Sequence, residues 1–195
     1  MFLLSALALA CATLVAATPL LPRQLQKGPD CALNAMGRGV SIQINDTSNR
    51  HFELGVHYID AGAPLTAFSS IHGWEQPDFL LQQNGQAKPS YIIKDVSDHN
   101  LALTFLGQSN RATLEQASDS STDVTQLWDF SCDFCDPNAA TRPSGVVLGG
   151  VCTMHPHNYP DYCVGIGFPM RTPPYPVVTP CDVSRLQFFN VVIGD

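Results

Sequence analysis

Beyond residue 30 the chain shows almost no helical period. Its apolar residues come in stretches of three to six, each bounded by Gly, Pro, Asn or Asp. Val40-Ser-Ile-Gln-Ile44, Tyr91-Ile-Ile93, Leu101-Ala-Leu-Thr-Phe-Leu106, Gly145-Val-Val-Leu148, Pro176-Val-Val-Thr179 and Leu186-Gln-Phe-Phe-Asn-Val-Val-Ile193 are of this kind. β-Branched and aromatic side chains fill them in partial two-residue alternation, as one half-buried face of a pleated strand requires. Turn residues separate them by roughly ten positions, the habit of an all-β sandwich or barrel with little helix. A chain of 195 residues with 45% hydrophobic content can bury one such core.

The ends and the cysteines bear on compartment. Met1 to Ala17 is an uncharged apolar run closed by the small residues Val15 and Ala17, and Pro19 and Pro22 stop it short of a bilayer span. It reads as a secretory signal peptide, followed by a proline-punctuated lead-in over 18–30 that Arg23 could mark for trimming. The expected location is therefore extracellular, with no membrane insertion. Loss of Cys11 with the signal leaves Cys31, Cys132, Cys135, Cys152, Cys163 and Cys181. An even set in an oxidising compartment predicts disulfides. Cys132, Cys135, Cys152, His155, His157 and Cys163 have zinc-ligand chemistry, but their spread spacing and the oxidation of secreted thiols favour disulfides over metal, so no metal or cofactor is expected. Asn45-Asp46-Thr47 is a glycosylation sequon, which places Asn45 on a surface loop.

Three segments align on a glutamine followed by apolar residues: Gln76-Pro-Asp-Phe79-Leu80, Gln126-Leu-Trp128-Asp-Phe130 and Gln187-Phe-Phe189-Asn-Val191. Each follows a short extended stretch: Pro64 to Phe68, Ala112 to Glu115, and Pro176 to Thr179. The glutamines lie 50 and 61 residues apart, which suits three copies of a forty-odd-residue unit with loop insertions, each donating an apolar anchor to a shared centre. Trp128, Phe130 and Phe189 are the expected core groups. Gln126 and Gln187 are expected to hydrogen-bond backbone across a strand-to-strand turn.

Together with Cys163-Val-Gly-Ile-Gly and the run from Pro176 through Cys181 to Phe189, these segments resemble the Q-x-W repeat of ricin-B-type β-trefoil lectins. The resemblance covers nearly all of 31–195 and is best in the third repeat; in the first, Asp78 stands where the family has tryptophan. It implies a single β-trefoil with three degenerate repeats, a Cys163–Cys181 disulfide, and sugar binding. The pairing of the other four cysteines stays open. A small, proline-rich, cysteine-bearing secreted chain also suits a fungal source.

Sugar binding in that family rests on an aspartate in the first hairpin strand, a stacking aromatic and an amide. Gly165 and Ala102 stand at the aspartate positions of the third and second repeats. The first repeat keeps Glu53, followed by His57, Tyr58 and Asp60, so these four form the expected surviving sugar pocket. A second candidate is a proline-stiffened stretch with His155, His157, Tyr159 and Tyr162, which with Tyr175 reads as a recognition loop, since pre-ordered aromatic and imidazole groups bind at low entropic cost. The expected partner is an extracellular glycan, or alternatively a secreted or host protein bound in the manner of a protease inhibitor or effector.

Other classes are disfavoured. A net charge of −7 with no Lys/Arg cluster offers no face for nucleic acid. No G-x-S-x-G elbow, H-E-x-x-H pair or phosphate loop occurs, so no catalytic residue is assigned and enzymatic activity is not expected.

Overall fold

Residues 26–27, 31–45, 51–69, 79–107, 111–118, 122–167, 175–181 and 187–194 are described by the structure, a computed structural model. Residues 1–17, expected from the sequence to be a signal peptide, lie outside these residues, as do Arg23, Gln76, Asp78, and Asp46 and Thr47 of the sequon.

The predicted short strands are present and fall into three sets of four. The first set is β2 (Gly39–Asn45), β3 (His51–Val56), β4 (Leu65–Ser69) and β5 (Phe79–Gln83). The second is β6 (Tyr91–Asp95), β7 (Leu101–Thr104), β8 (Thr113–Gln116) and β9 (Leu127–Cys135). The third is β10 (Val147–Pro156), β11 (Tyr162–Ile166), β12 (Pro176–Pro180) and β13 (Phe189–Ile193). Within the lead-in, β1 (Gln26–Lys27) adds to the far end of β9. Helix among the described residues is confined to 3₁₀ turns, among them Val124–Gln126 and Ala139–Thr141.

The outer strands of each set close a ring. β2 pairs with β5, β5 with β6, β6 with β9, β9 with β10, β10 with β13, and β13 returns to β2. The inner strands form the hairpins β3–β4, β7–β8 and β11–β12. A six-stranded barrel with one hairpin per third is the β-trefoil. Full closure leaves the barrel strands no free edge, which lets strands of four to ten residues make a stable core without helices.

The shared centre is aromatic. Phe79 faces Val40, Trp128 faces Tyr91 and Phe189 faces Cys152, so the three rings hold equivalent places in their repeats and are 0%, 0% and 1% exposed. The first repeat therefore keeps its anchor as Phe79, one position later than a Q-x-W spacing from Gln76 would put it. Strand side chains alternate with a period of two, so pairing, not distance from the glutamine, decides which residue points inward. The Trp128 indole N–H donates to the Leu103 carbonyl at 2.8 Å, tying the barrel to its hairpin. Gln126 does likewise from just outside the strand. Its Nε2 donates to the Gln116 carbonyl (2.8 Å) and Thr104 Oγ1 (3.1 Å), while its Oε1 accepts from Ser118 N. Gln187 Nε2 reaches the Pro180 carbonyl (3.2 Å) and Thr179 Oγ1 (3.3 Å) in the same manner. Both glutamines thus clamp the end of the second hairpin strand, as a buried amide with satisfied partners should.

Three disulfides fasten the shell: Cys31–Cys135, Cys132–Cys152 and Cys163–Cys181. The first spans 104 residues and pins the segment before β2 to β9; the second staples β9 to β10. Gly149 of β10 passes close to this staple, and Gly150 close to Phe134. A Cβ at Gly149 would overlap Leu33, and one at Gly150 would overlap the Phe134 ring. No helix among the described residues is long and apolar enough to cross a membrane.

Candidate functional site

The two expected sites fare differently in three dimensions. Glu53 lies inside β3, opposite Gln43 and Phe68, and is buried. His57, Tyr58 and Asp60 follow on the exposed turn before β4, with Tyr58 54% exposed. The His57 ring meets Phe68 edge-on at 5.2 Å, and the Asp60 carbonyl closes the turn on Ala63 N at 3.1 Å. The set is split between interior and surface, because β3 is covered on both faces, with Phe52 and Leu54 in the core and Glu53, between them, buried on the other face, while the turn beyond carries its partners out.

The second stretch is drawn together. Reading it from the sequence as one loop is corrected by the strand pairing. β10 runs on through His155 and Pro156, which face Asp129 and Trp128, and only residues 157–161 form the connection to β11. Proline is tolerated at this last strand position. The connection is tight: Tyr159 N donates to the Pro156 carbonyl (2.8 Å), and Tyr162 N to the Tyr159 carbonyl (2.9 Å).

At one end of this turn His157 Nδ1 lies 3.0 Å from Asp129 Oδ2, and Ser90 Oγ donates to Asp129 Oδ1 at 2.5 Å while standing 3.1 Å from the same Nδ1. Serine, histidine and aspartate meet here without the relay geometry of an acyl-transfer triad. A triad needs carboxylate and hydroxyl on opposite ring nitrogens, whereas Asp129 and Ser90 both sit at Nδ1. What the cluster offers outward is a carboxylate and an imidazole, fixed from beneath by the buried Ser90 hydroxyl. Two residues further on, Tyr159 packs edge-to-face on Phe105 (5.3 Å) and on Tyr162 (6.1 Å), and its phenol lies over Gly107. Gly107 has φ +74°, and a side chain there would strike the Tyr159 hydroxyl. Tyr159 and Tyr162 are each 40% exposed, and Leu106 beside them 59%. The Tyr175 ring has the Arg111 guanidinium 4.7 Å above it.

His155 faces a different neighbourhood. Its Nε2 lies 2.7 Å from Thr153 Oγ1 and its Nδ1 3.1 Å from the Tyr162 carbonyl, with both sulfurs of Cys163–Cys181 close to Nδ1. Burial holds its pKa below the ordinary 6.5, against the opposing pull of the Tyr162 carbonyl. Between that lowered value and 6.5 the unfolded chain binds the proton more readily than the folded one, so acidification through this window removes stability. Urea midpoints measured from about pH 7.5 to about pH 5 are expected to fall, and the fall is expected to be shallower in His155→Gln than in wild type.

Elsewhere, a cleft of about 280 Å³ opens between Gly37, Leu80, Leu81, Gln82, Lys94 and His99, and it contains none of the residues singled out from the sequence.

Barrel closure and the three hairpins define the chain as a β-trefoil protein, and solved structures agree. It is similar to a mosquitocidal holotoxin (TM-score 0.59, 14% identity, 81% of this chain and 17% of that one). It is similar also to the designed 3-fold symmetric protein ThreeFoil (TM-score 0.55, 13% identity, 79% of this chain and 98% of that one) and to Cry35Ab1 (TM-score 0.54, 10% identity, 82% and 36%). The chain thus spans about a sixth of the holotoxin, about a third of Cry35Ab1 and nearly all of ThreeFoil. No protein-family model matches it, and no curated protein sequence does.

Proposed function

We propose that this protein is an extracellular, non-enzymatic carbohydrate-binding module that receives a glycan on the surface of the 157–162 turn. The observation that carries the reading is the pair of half-exposed rings, Tyr159 and Tyr162, on the same short turn as the His157–Asp129–Ser90 cluster. A pyranose presents hydroxyls, which a carboxylate and an imidazole can bind, and a C–H face, which a tyrosine ring can cover. Both requirements meet here on groups already held by hydrogen bonds, so little ordering is needed on binding. The trefoil resemblance supports the same class of ligand. In this reading the turn carrying His57, Tyr58 and Asp60 is at most a secondary contact, since its carboxylate partner Glu53 is buried.

The second reading, binding of a secreted or host protein, draws on Leu106, whose exposure extends the tyrosine pair into an apolar ridge. A glycan array separates the two. The mature chain, with its disulfides intact, is expected to bind a defined group of glycans, and the free sugar is expected to displace it. Tyr159→Ala and Asp129→Asn are each expected to weaken that binding by about tenfold or more, the loss of a buried contact of about 1.4 kcal/mol or above. Silence across the array from a folded protein would contradict the carbohydrate reading and leave the protein-binding one.

A further inference from the structure

Where β10 meets the β11–β12 hairpin, one imidazole lies against one disulfide. His155 Nδ1 lies 3.7 Å from Cys163 Sγ and 3.6 Å from Cys181 Sγ, and the three ligand atoms fall within 4.8 Å of one another. We infer that His155, Cys163 and Cys181 are a latent site for a zinc-class divalent ion, closed while the sulfurs are bonded and opened when a dithiol reductant breaks that bond.

The geometry is close to what a metal needs. With Zn–S near 2.3 Å and Zn–N near 2.0 Å, a tetrahedral centre has nitrogen-to-sulfur edges of about 3.5 Å and a sulfur-to-sulfur edge of about 3.8 Å. Both nitrogen-to-sulfur edges are already within about 0.2 Å of that requirement. Only the two sulfurs must part, and breaking their bond allows it. The backbone does not depend on the disulfide to hold its shape there. Cys163 pairs with Thr179, Tyr162 pairs with Pro180, and Cys181 N donates to the Asp161 carbonyl at 2.8 Å, so the hairpin register keeps the two cysteines together.

The surroundings of the ring fit a ligand. A metal on Nδ1 must displace the contact that Nδ1 makes with the Tyr162 carbonyl at 3.1 Å, and it requires the proton on Nε2, where Thr153 Oγ1 at 2.7 Å accepts it. The Thr153 hydroxyl can then donate to the Ser131 carbonyl at 3.4 Å. This is the outer-shell partner that metal-binding histidines commonly have. Access also fits. Cys181 is exposed, whereas Cys132, Cys135, Cys152 and Cys163 are buried and Cys31 is half-buried, so a reductant reaches the Cys163–Cys181 bond first. The other residues with zinc-ligand chemistry are committed elsewhere: Cys132, Cys135 and Cys152 to their own disulfides, His157 to Asp129.

The chemistry balances in two steps. One thiolate of the dithiol attacks Cys181 Sγ and releases Cys163 as a thiolate. Its second thiol then resolves the mixed disulfide, so that the reductant ends as a disulfide and both cysteines as thiols. Binding of the ion releases the two thiol protons to solvent, with water completing the fourth position. The ion would take over from the covalent bond in closing the β11–β12 hairpin and, through His155, would tie that hairpin to β10.

Cobalt(II) serves as the probe, because its visible and near-ultraviolet bands report tetrahedral geometry and thiolate ligation. The full mature chain is treated with increasing dithiol, alkylated in part and mapped by mass spectrometry to identify which bond opens, and the remainder is titrated with cobalt. The inference predicts that Cys163 and Cys181 are labelled first. Cobalt is then expected to bind at one equivalent with a two-thiolate charge-transfer band absent from the oxidised protein and from a Cys163→Ser, Cys181→Ser double variant. His155→Gln, with His155→Ala as a second replacement, is expected to weaken binding about tenfold or more. Prior opening of another disulfide, absence of the band after Cys163 and Cys181 are free, or uptake that both His155 variants leave unchanged would each overturn it.

Discussion

Replacing Cys31 and Cys135 together by alanine is expected to cost more stability than opening any other disulfide. The bond spans 104 residues, and the loop-closure entropy it removes from the unfolded chain corresponds to about 4.7 kcal/mol for a loop of about 100 residues. Cys132–Cys152 and Cys163–Cys181 span 20 and 18 residues, for which the same relation gives about 3 kcal/mol each. Calorimetry of the three double variants should therefore rank the 31–135 variant lowest, with a melting temperature about 10–20 °C below wild type for a chain of this size. A loss no larger than that of the two short loops would mean that the segment before β2 is not fastened to β9 in the native state.

The second large effect is expected at Trp128. Its ring is fully buried in the barrel, and its N–H satisfies the Leu103 carbonyl. Trp128→Ala should cost about 3–5 kcal/mol for the lost packing and the cavity left behind. Trp128→Phe keeps most of the ring but leaves that carbonyl without its donor, at about 1–3 kcal/mol. Phe79→Ala and Phe189→Ala should fall in a similar range, because the three residues hold equivalent positions. Pairs of these changes should depart from additivity, as expected for groups sharing one hub. Urea denaturation reads both results. Independent, additive and unequal losses would contradict a common centre.

How much of this could be read from the chain itself depends on what is local. Strand positions such as 40–44, 91–93 and 176–179 were legible because their β-branched runs end abruptly at turn residues. The repeat was legible through Gln126 and Gln187, whose clamping bonds require the same residue type in each unit. In the first repeat the family spacing from Gln76 falls on Asp78 and hides the anchor, which the pairing of Val40 with Phe79 reveals one position later. The extension of β10 through His155 and Pro156 was hidden by the usual reading of proline as a loop residue, and only its pairing with β9 shows otherwise. Glu53 reads from the sequence as the carboxylate of a sugar pocket, because its charge outweighs its strand context; β3 is covered on both faces and buries it.

The site was the least legible part. His157 and Tyr159 are unusual neighbours in the sequence, yet their partners Asp129, Ser90 and Phe105 lie 28, 67 and 54 residues away in the chain and come from other strands and hairpins. No local pattern joins them, because closure of the barrel between the second and third repeats is what creates the surface. The same holds for His155 against Cys163 and Cys181: the sequence groups His155 with Cys163 as zinc-ligand types and the resemblance implies the disulfide, but only the fold sets the ring 3.7 and 3.6 Å from the two sulfurs.

The most direct measurement of the proposed function is an amide-resolved NMR titration of the mature chain with the sugar that displaces it from the array. Binding at the tyrosine turn predicts saturable shifts at Asp129, His157–Tyr162 and Phe105–Gly107, with His57, Tyr58 and Asp60 unmoved. Shifts confined to His57, Tyr58 and Asp60, or scattered without saturation, would contradict it.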